Sequence, residues 1–213
     1  MTPELVIFDC DGVLVETESV TDQVLSTYFT VHGAPINPAK VHELFAGGTM
    51  EGAGAAAVKL GAILPENWRD EIYVEIFAKL SEGVMVFPGL FDLLDALDAQ
   101  GIPVAVASNG PMAKMRVSLG PSGLWDRLKG RIYSRENYAP KPAPDMLLAA
   151  CVATGVIPQN AVMIDDTPIG TAAADAAGTR AIGFAAASNA ERLRATGHPV
   201  AHTMVDVQKL LGL

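Results

Sequence analysis

Short apolar or β-prone runs alternate with helix-spaced segments along most of this chain, and that alternation limits the fold more than any other feature. Leu5-Val6-Ile7-Phe8 is a β-prone run ending at Asp9, and the pattern returns at Pro103–Ala107, Arg131–Tyr133, Ala161–Ile164 and Arg180–Phe184. A strand apolar at every position is covered on both faces, which is the habit of a parallel sheet. Strand, helix and strand in repeated order predict right-handed crossovers, hence an α/β fold with a doubly wound, mainly parallel sheet. The clearest helix is marked by Leu90, Leu93, Leu94 and Leu97, with Pro88 ahead as a start signal and Gly101 behind as a stop.

Between Glu16 and about Val86 the alternation ceases. Val20, Val24, Tyr28 and Val31 mark one helical stripe; Trp68, Ile72, Ile76 and Leu80, beside Tyr73 and Phe77, mark another. Such stripes form the interior of a helix bundle. The 213 residues are therefore expected to divide into a core at 1–15 and 87–213 and an inserted all-helical domain at 16–86. A chain of this length buries about 70% of its unfolded surface. Its 50% apolar and 18% charged residues describe a globular protein, not a disordered one.

Fifteen basic against 24 acidic residues give a net charge of −9, which opposes general attraction to nucleic acid or an anionic membrane. An anionic ligand would need a local positive site. Cys10 in an apolar strand and Cys151 in a helical segment read as free buried thiols, because two cysteines cannot staple a domain of this size. Met1-Thr2-Pro3-Glu4 shows no basic stretch leading into a long apolar one, so a cytoplasmic protein is expected. The 19 uncharged residues from Met146 to Ile164 reach membrane-spanning length, but Gly155, Pro158, Gln159 and Asn160 interrupt them. That polar turn would strand backbone groups in hydrocarbon, so a helix, a turn and a short strand are expected.

Alternate residues of a strand face the same way, so where the first strand ends as Asp9-Cys10-Asp11-Gly12 the two aspartates converge and Cys10 points away. Open α/β sheets bind ligands beyond the carboxyl ends of their strands, although Asp-x-Asp-Gly alone also suits an Asx turn. Asp165-Asp166 ends another strand, ahead of Thr167-Pro168 and a helix that an aspartate could equally cap. Two acidic strand ends in one sheet gather the hard oxygen donors that Mg²⁺ takes. Ser108-Asn109-Gly110 sets a hydroxyl and the N–H groups of a glycine turn at a third strand end, with a capping Ser before Pro111 as the alternative. Lys141 lies in Ala139-Pro140-Lys141-Pro142-Ala143-Pro144, where the flanking prolines restrain the backbone and favour a fixed charge over a loose surface lysine. Carboxylates, a hydroxyl, an ammonium and a divalent cation together suit phosphoryl transfer, in which preorganised donors and cations meet the charge of the moving group.

Asp9-x-Asp11-Gly12-Val13-Leu14-Val15, Ser108-Asn109-Gly110, Lys141-Pro142 and Asp165-Asp166, in that order, resemble the four motifs of the haloacid dehalogenase superfamily, and the resemblance covers essentially the whole chain. It implies a Rossmann-like catalytic core, with the helical insertion as the superfamily's α-helical cap closing over it. Ser108-Asn109-Gly110-Pro111 followed by Lys114-Met115 is similar to the phosphosugar phosphatase branch, 6-phosphogluconate phosphatases included, near β-phosphoglucomutase. By that resemblance Asp9 would be the nucleophile and Asp11 the general acid and base. Ser108, Asn109, Gly110 and Lys141 would bind the phosphoryl group. Mg²⁺ would be held by Asp9, the Asp11 backbone carbonyl, Asp165 and Asp166. Asp11 points away from the dehalogenases, which need neither this acid nor the metal. The resemblance further implies a phosphatase acting on a small-molecule phosphate ester, as a monomer or small homo-oligomer.

Phe45-Ala46-Gly47-Gly48-Thr49-Met50 resembles the cap loop that enters the active site, which makes Gly47 and Gly48 candidate substrate contacts, yet it lacks the Arg or Lys that relatives often carry. Lys114 could instead reach a substrate carboxylate or second phosphate from the core. Gly52-Ala53-Gly54-Ala55-Ala56-Ala57 fits a dinucleotide fingerprint in spacing, but no strand precedes it, and small residues for close helix packing explain it better. His32, His42, His198 and His202 show no zinc spacing with cysteine. Two rivals to the phosphatase stay open: a phosphomutase of the same fold, which returns the phosphoryl group to the sugar, and a phospho-accepting receiver domain. Against the latter stands the insertion after the first strand.

Overall fold

The computed structural model describes residues 2–45, 50–186 and 190–213. In chain order the elements are β1 (Leu5–Phe8), β2 (Val15–Glu16), α1 (Glu18–Val31), α2 (Pro38–Phe45), α3 (Met50–Lys59), α4 (Trp68–Ser81), β3 (Met85–Val86), α5 (Leu90–Ala99), β4 (Val104–Ser108) and α6 (Met112–Leu119). There follow α7 (Leu124–Leu128), β5 (Ile132–Ser134), α8 (Asp145–Thr154), β6 (Ala161–Asp165), α9 (Pro168–Ala177), β7 (Arg180–Phe184), α10 (Ala190–Arg194), β8 (Val200–Ala201) and α11 (Met204–Leu211). The chain falls into two compact units, Met1–Glu16 with Met85–Leu213, and Thr17–Val84.

The first unit is built on a six-stranded sheet in the order β5-β4-β1-β6-β7-β8, and its neighbours pair in parallel throughout. Leu5, Val6, Ile7 and Phe8 are each 0% exposed, and withdrawing a side chain of this kind from water contributes about 1.5–3 kcal/mol. That burial explains why the run is apolar at every position. The central strand joins β4 in the register Val6↔Val104 and β6 in the register Leu5↔Ala161. On one face Met146, Leu147, Ala150 and Cys151 of α8, with Ala173, Ala174 and Ala177 of α9, close over Leu5, Ile7, Ala105, Ala107, Ala161 and Met163. In α5 all four expected leucines, 90, 93, 94 and 97, are buried. β2 and β3 form a separate antiparallel pair.

The order of the strands fixes where a ligand can sit. From β1 the chain builds outward through β4 and β5, then returns to the far side of β1 and continues through β6, β7 and β8. At such a reversal the helices leave for opposite faces, opening a crevice beyond the carboxyl ends of the central strands. Asp9, Asn109 and Asp166 are the residues that directly follow β1, β4 and β6.

Two strands lie one residue later than expected, at 104–108 and 132–134. Pro103 has no N–H to place in a ladder and gives only its carbonyl, which accepts from Val6 N at 3.1 Å. The segment from Met146 to Ile164 is nearly all of α8, a 3-10 turn at Pro158–Asn160 and most of β6. Among the described residues no helix is long and apolar enough to cross a membrane. Both cysteines are free and buried.

In the helical unit the buried face of α1 is Val24, Leu25, Tyr28 and Phe29. Val31, expected on that face, is 77% exposed, because the face turns toward Leu25 and Phe29 rather than continuing through 31. In α4 Ile72, Ile76 and Leu80 are buried, and Glu71 Oε2 accepts the Tyr28 hydroxyl at 2.6 Å. The Gly52–Ala57 segment lies inside α3. A β-carbon on Gly54 would fall 2.3 Å from Cζ2 of Trp68, so the glycine serves close packing against the indole.

Candidate active site

The chain leaves β1 through a tight loop in which Gly12 N donates to Val15 O at 2.9 Å and Leu14 N donates to Cys10 O at 3.0 Å. Asp9, 8% exposed, opens this loop, and its N–H donates to Ile164 O of β6 at 2.9 Å. Gly12 adopts φ +80, and a β-carbon there would fall 2.4 Å from Asp166 Oδ2. The glycine therefore meets two demands at once, a left-handed backbone and room for a carboxylate. The loops after β1 and β6 are thereby in contact.

Lys141 binds them further. Its ammonium donates to Asp9 Oδ1 at 2.8 Å and to Asp165 Oδ2 at 2.6 Å, although its side chain is 4% exposed. Asp165 is 0% exposed, and its other oxygen accepts from Thr167 N at 2.9 Å and Thr167 Oγ1 at 2.7 Å. Thr167 Oγ1 in turn accepts from Gly170 N at 3.1 Å, making Thr167 the N-cap of α9. The cap of that helix is thus the threonine and not an aspartate. In the sequence Thr167 shows only as a residue following the acidic pair, and no pattern there marks Gly170.

Ser108, the last residue of β4, is 2% exposed. Its Oγ accepts from Gly110 N at 3.0 Å, which leaves the hydroxyl proton for another acceptor. It does not cap α6, whose N-cap is Pro111. A β-carbon on Gly110 would fall 3.3 Å from Ser108 Oγ and 3.6 Å from Asp11 Oδ2, so the hydroxyl and the second aspartate face one small space. Buried Ser134, which the sequence did not single out, supports this turn by donating from Oγ to Gly110 O at 2.8 Å.

Lys114 and Asn109, both expected as substrate contacts, each have a partner within the chain. The Lys114 ammonium donates to Asp11 Oδ2 at 2.8 Å, with both side chains about one-quarter exposed. The Asn109 side chain meets the backbone of Lys141, accepting from its N–H at 2.8 Å and donating to its carbonyl at 3.0 Å. Gly47 and Gly48 lie outside the described residues.

One carboxylate oxygen from each of Asp9, Asp165 and Asp166 lies within 4.8 Å of the other two, and the Lys141 ammonium bridges Asp9 and Asp165. Burial above all pushes the Asp9 carboxyl up to about 7; Lys141 pulls it down, while Asp165 and Asp11 push it further up. For Lys141, burial works against the charge, but Asp165 and Asp9 outweigh it and hold the ammonium above its ordinary range. Lys114 is raised in the same way, its burial outweighed by Asp11. Burial raises the Cys10 thiol well above its usual value. Surplus negative charge on clustered hard oxygens fits a hard divalent cation such as Mg²⁺.

The haloacid dehalogenase-like hydrolase family profile matches residues 3–178, so the chain belongs to that family of hydrolases. It is 31% identical over 183 residues to Suppressor of Quenching 1, a chloroplastic protein of Arabidopsis thaliana, covering 83% of this chain but spanning only 17% of that protein. It is 28% identical over 186 residues to 6-phosphogluconate phosphatase of Escherichia coli (strain K12), covering 86% of this chain and 83% of that protein. Among solved structures, a haloacid dehalogenase family hydrolase of Deinococcus radiodurans R1, with phosphate and sodium bound, superposes with a TM-score of 0.87 at 26% identity, covering 99% of this chain and 96% of that one.

Proposed function

We propose that this hydrolase is a Mg²⁺-dependent phosphatase of small phosphorylated metabolites, sugar phosphates foremost, working through an aspartyl-phosphate on Asp9. The observation that carries the reading is the bridge of Lys141 between Asp9 and Asp165, at 2.8 and 2.6 Å, on the rim of the central strands. A buried ammonium fixed between two carboxylates is a preorganised counter-charge for an anionic group arriving at Asp9. The similarity to a phosphatase of a phosphorylated sugar acid supports the substrate class.

In this scheme an Asp9 carboxylate oxygen attacks phosphorus and the bond to the leaving oxygen breaks. Asp11 gives its proton to that oxygen. Water then attacks the acyl-phosphate while Asp11 takes the water's proton, returning inorganic phosphate and the free Asp9 carboxylate. Ser108, its Oγ already accepting from Gly110 N, donates its hydroxyl proton to a phosphoryl oxygen. Lys141 stays charged beside the transferring group. Mg²⁺ would be held by Asp9, Asp165, Asp166 and the Asp11 backbone carbonyl, and when bound would neutralise charge on the phosphoryl oxygens.

The test is release of inorganic phosphate from a panel of phosphorylated metabolites with Mg²⁺ present, with Asp9→Asn as control. Release from sugar phosphates that vanishes in Asp9→Asn bears the proposal out. Conversion of a β-glucose phosphate with no phosphate released would assign a mutase instead. A long-lived phosphoprotein with no ester turnover would assign a receiver.

A further inference from the structure

We infer that Asn109 is a positioning residue whose carboxamide clamps the backbone of Lys141, and that its side chain does not bind the substrate. The chemistry of the segment Pro140-Lys141-Pro142 explains why a clamp is needed. Neither proline has an N–H, so the Lys141 amide is the only backbone donor in those three residues. The local turn is closed by Ala143 N donating to Pro140 O at 2.9 Å, and this leaves the Lys141 N–H and C=O to be satisfied from elsewhere. Asn109 supplies both partners, accepting at 2.8 Å and donating at 3.0 Å across 32 residues of sequence. A carboxamide is the side chain suited to this task, carrying one acceptor and one donor in a single plane.

The consequence lies at the other end of the lysine. Its ammonium serves Asp9 and Asp165 together, so its backbone must be held where the side chain reaches both. Asn109 sits directly after Ser108, whose Oγ shares one small space beside Gly110 with Asp11 Oδ2. One short segment after β4 therefore sets the hydroxyl donor with Ser108 and the ammonium, at second hand, with Asn109.

Two measurements on the full chain test this, and only the kinetic one rests on the phosphatase reading. Asn109→Ala should speed amide hydrogen exchange at Lys141 by about tenfold or more, with exchange in β1 unchanged. Asn109→Asp keeps the acceptor for that N–H but sets a carboxylate oxygen against the Lys141 carbonyl, so it should retain part of the protection. With Mg²⁺ and p-nitrophenyl phosphate, both variants should lose about 10- to 100-fold in kcat, with KM within about threefold of the parent, as expected when a catalytic group is displaced rather than a binding contact removed. Were Asn109 a substrate ligand, Asn109→Asp would repel the phosphoryl group and raise KM steeply. Unchanged Lys141 exchange in Asn109→Ala, or a rise in KM exceeding the fall in kcat, overturns the inference. If Asn109→Ala does not fold, Asn109→Asp decides by the same two readouts. A parent protein that releases no phosphate from any ester counts against the phosphatase alone, and the exchange measurement then decides the clamp.

Discussion

A β-carbon built on Gly170 falls 1.8 Å from Cγ of Asp165, so the first turn of α9 is pressed against the carboxylate that anchors Lys141. Helix propensity favours Ala over Gly by about 1 kcal/mol. Here Asp165 would have to move, and Lys141 holds it at 2.6 Å and Thr167 at 2.9 and 2.7 Å. Overpacking of a rigid site costs about 1–3 kcal/mol. Gly170→Ala is therefore expected to lose about 1 kcal/mol net in urea unfolding despite its better propensity, and to lower activity. A variant as stable as the parent would mean that Asp165 yields easily.

Thr167 links the same carboxylate to the start of the helix. Thr167→Ala removes the acceptor for Gly170 N, worth about 1 kcal/mol as an N-cap, and a hydroxyl donor to Asp165, worth about another 1 kcal/mol. Thr167→Ser keeps both groups and should remain within about 0.5 kcal/mol of the parent. Urea melts followed by circular dichroism separate the two variants. Equal losses would locate the effect in the missing methyl group rather than in the hydrogen bonds.

Much of this arrangement was legible because it depends on local pattern. Leu5–Phe8 is a strand at the position its apolar run indicates, since a strand covered on both faces has no polar position to blur its ends. The acidic pairs and Ser108 could be singled out because parallel strands deliver their ends to one rim, and Lys141 because Pro140 and Pro142 flank it. On α1 the spacing allowed more than one apolar face, and only packing decides that Phe29 is buried at 0% exposure while Val31 lies out at 77%. The roles of Asn109, Lys114 and Gly170 were hidden for a related reason. Asn109 is partnered across 32 residues and Lys114 across 103, and Gly170 matters for a side-chain carboxylate and not for a turn.

Lys141 is the only cation bonded to Asp9 and Asp165 among the hydrogen bonds described, and its removal should be felt in stability as well as in turnover. Taking away one partner of a buried ion pair leaves uncompensated charge and costs about 3–5 kcal/mol. Lys141→Met should lose that much in urea unfolding at pH 8, along with activity. Adding Asp165→Asn removes one stranded carboxylate, so the double variant should regain part of the stability without regaining turnover. Additive losses in the double variant would show that Lys141 and Asp165 are not energetically coupled.

The pH dependence of the metal-free protein follows from Asp9, whose carboxyl burial raises from 3.8 to about 7. Below the unfolded value the group is protonated in both states and does not oppose folding. Above about 7 it is ionised in both, and the folded state carries the cost of a buried charge. This contribution therefore weakens stability as pH rises between 3.8 and about 7, the unfolded chain releasing its proton first. A divalent cation at Asp9 displaces the remaining proton and offsets the charge. Added Mg²⁺ is accordingly expected to raise Tm more at pH 8 than at pH 6, and EDTA to reverse the gain and abolish turnover. Asp9→Asn should fold, have no activity, and show a flatter stability profile in chelator and a smaller Mg²⁺ response. Thermal melts of both proteins at the two pH values, with Mg²⁺ or EDTA, check this. An equal Mg²⁺ response in Asp9→Asn would place the cation away from Asp9, and full activity in EDTA would remove it from the scheme.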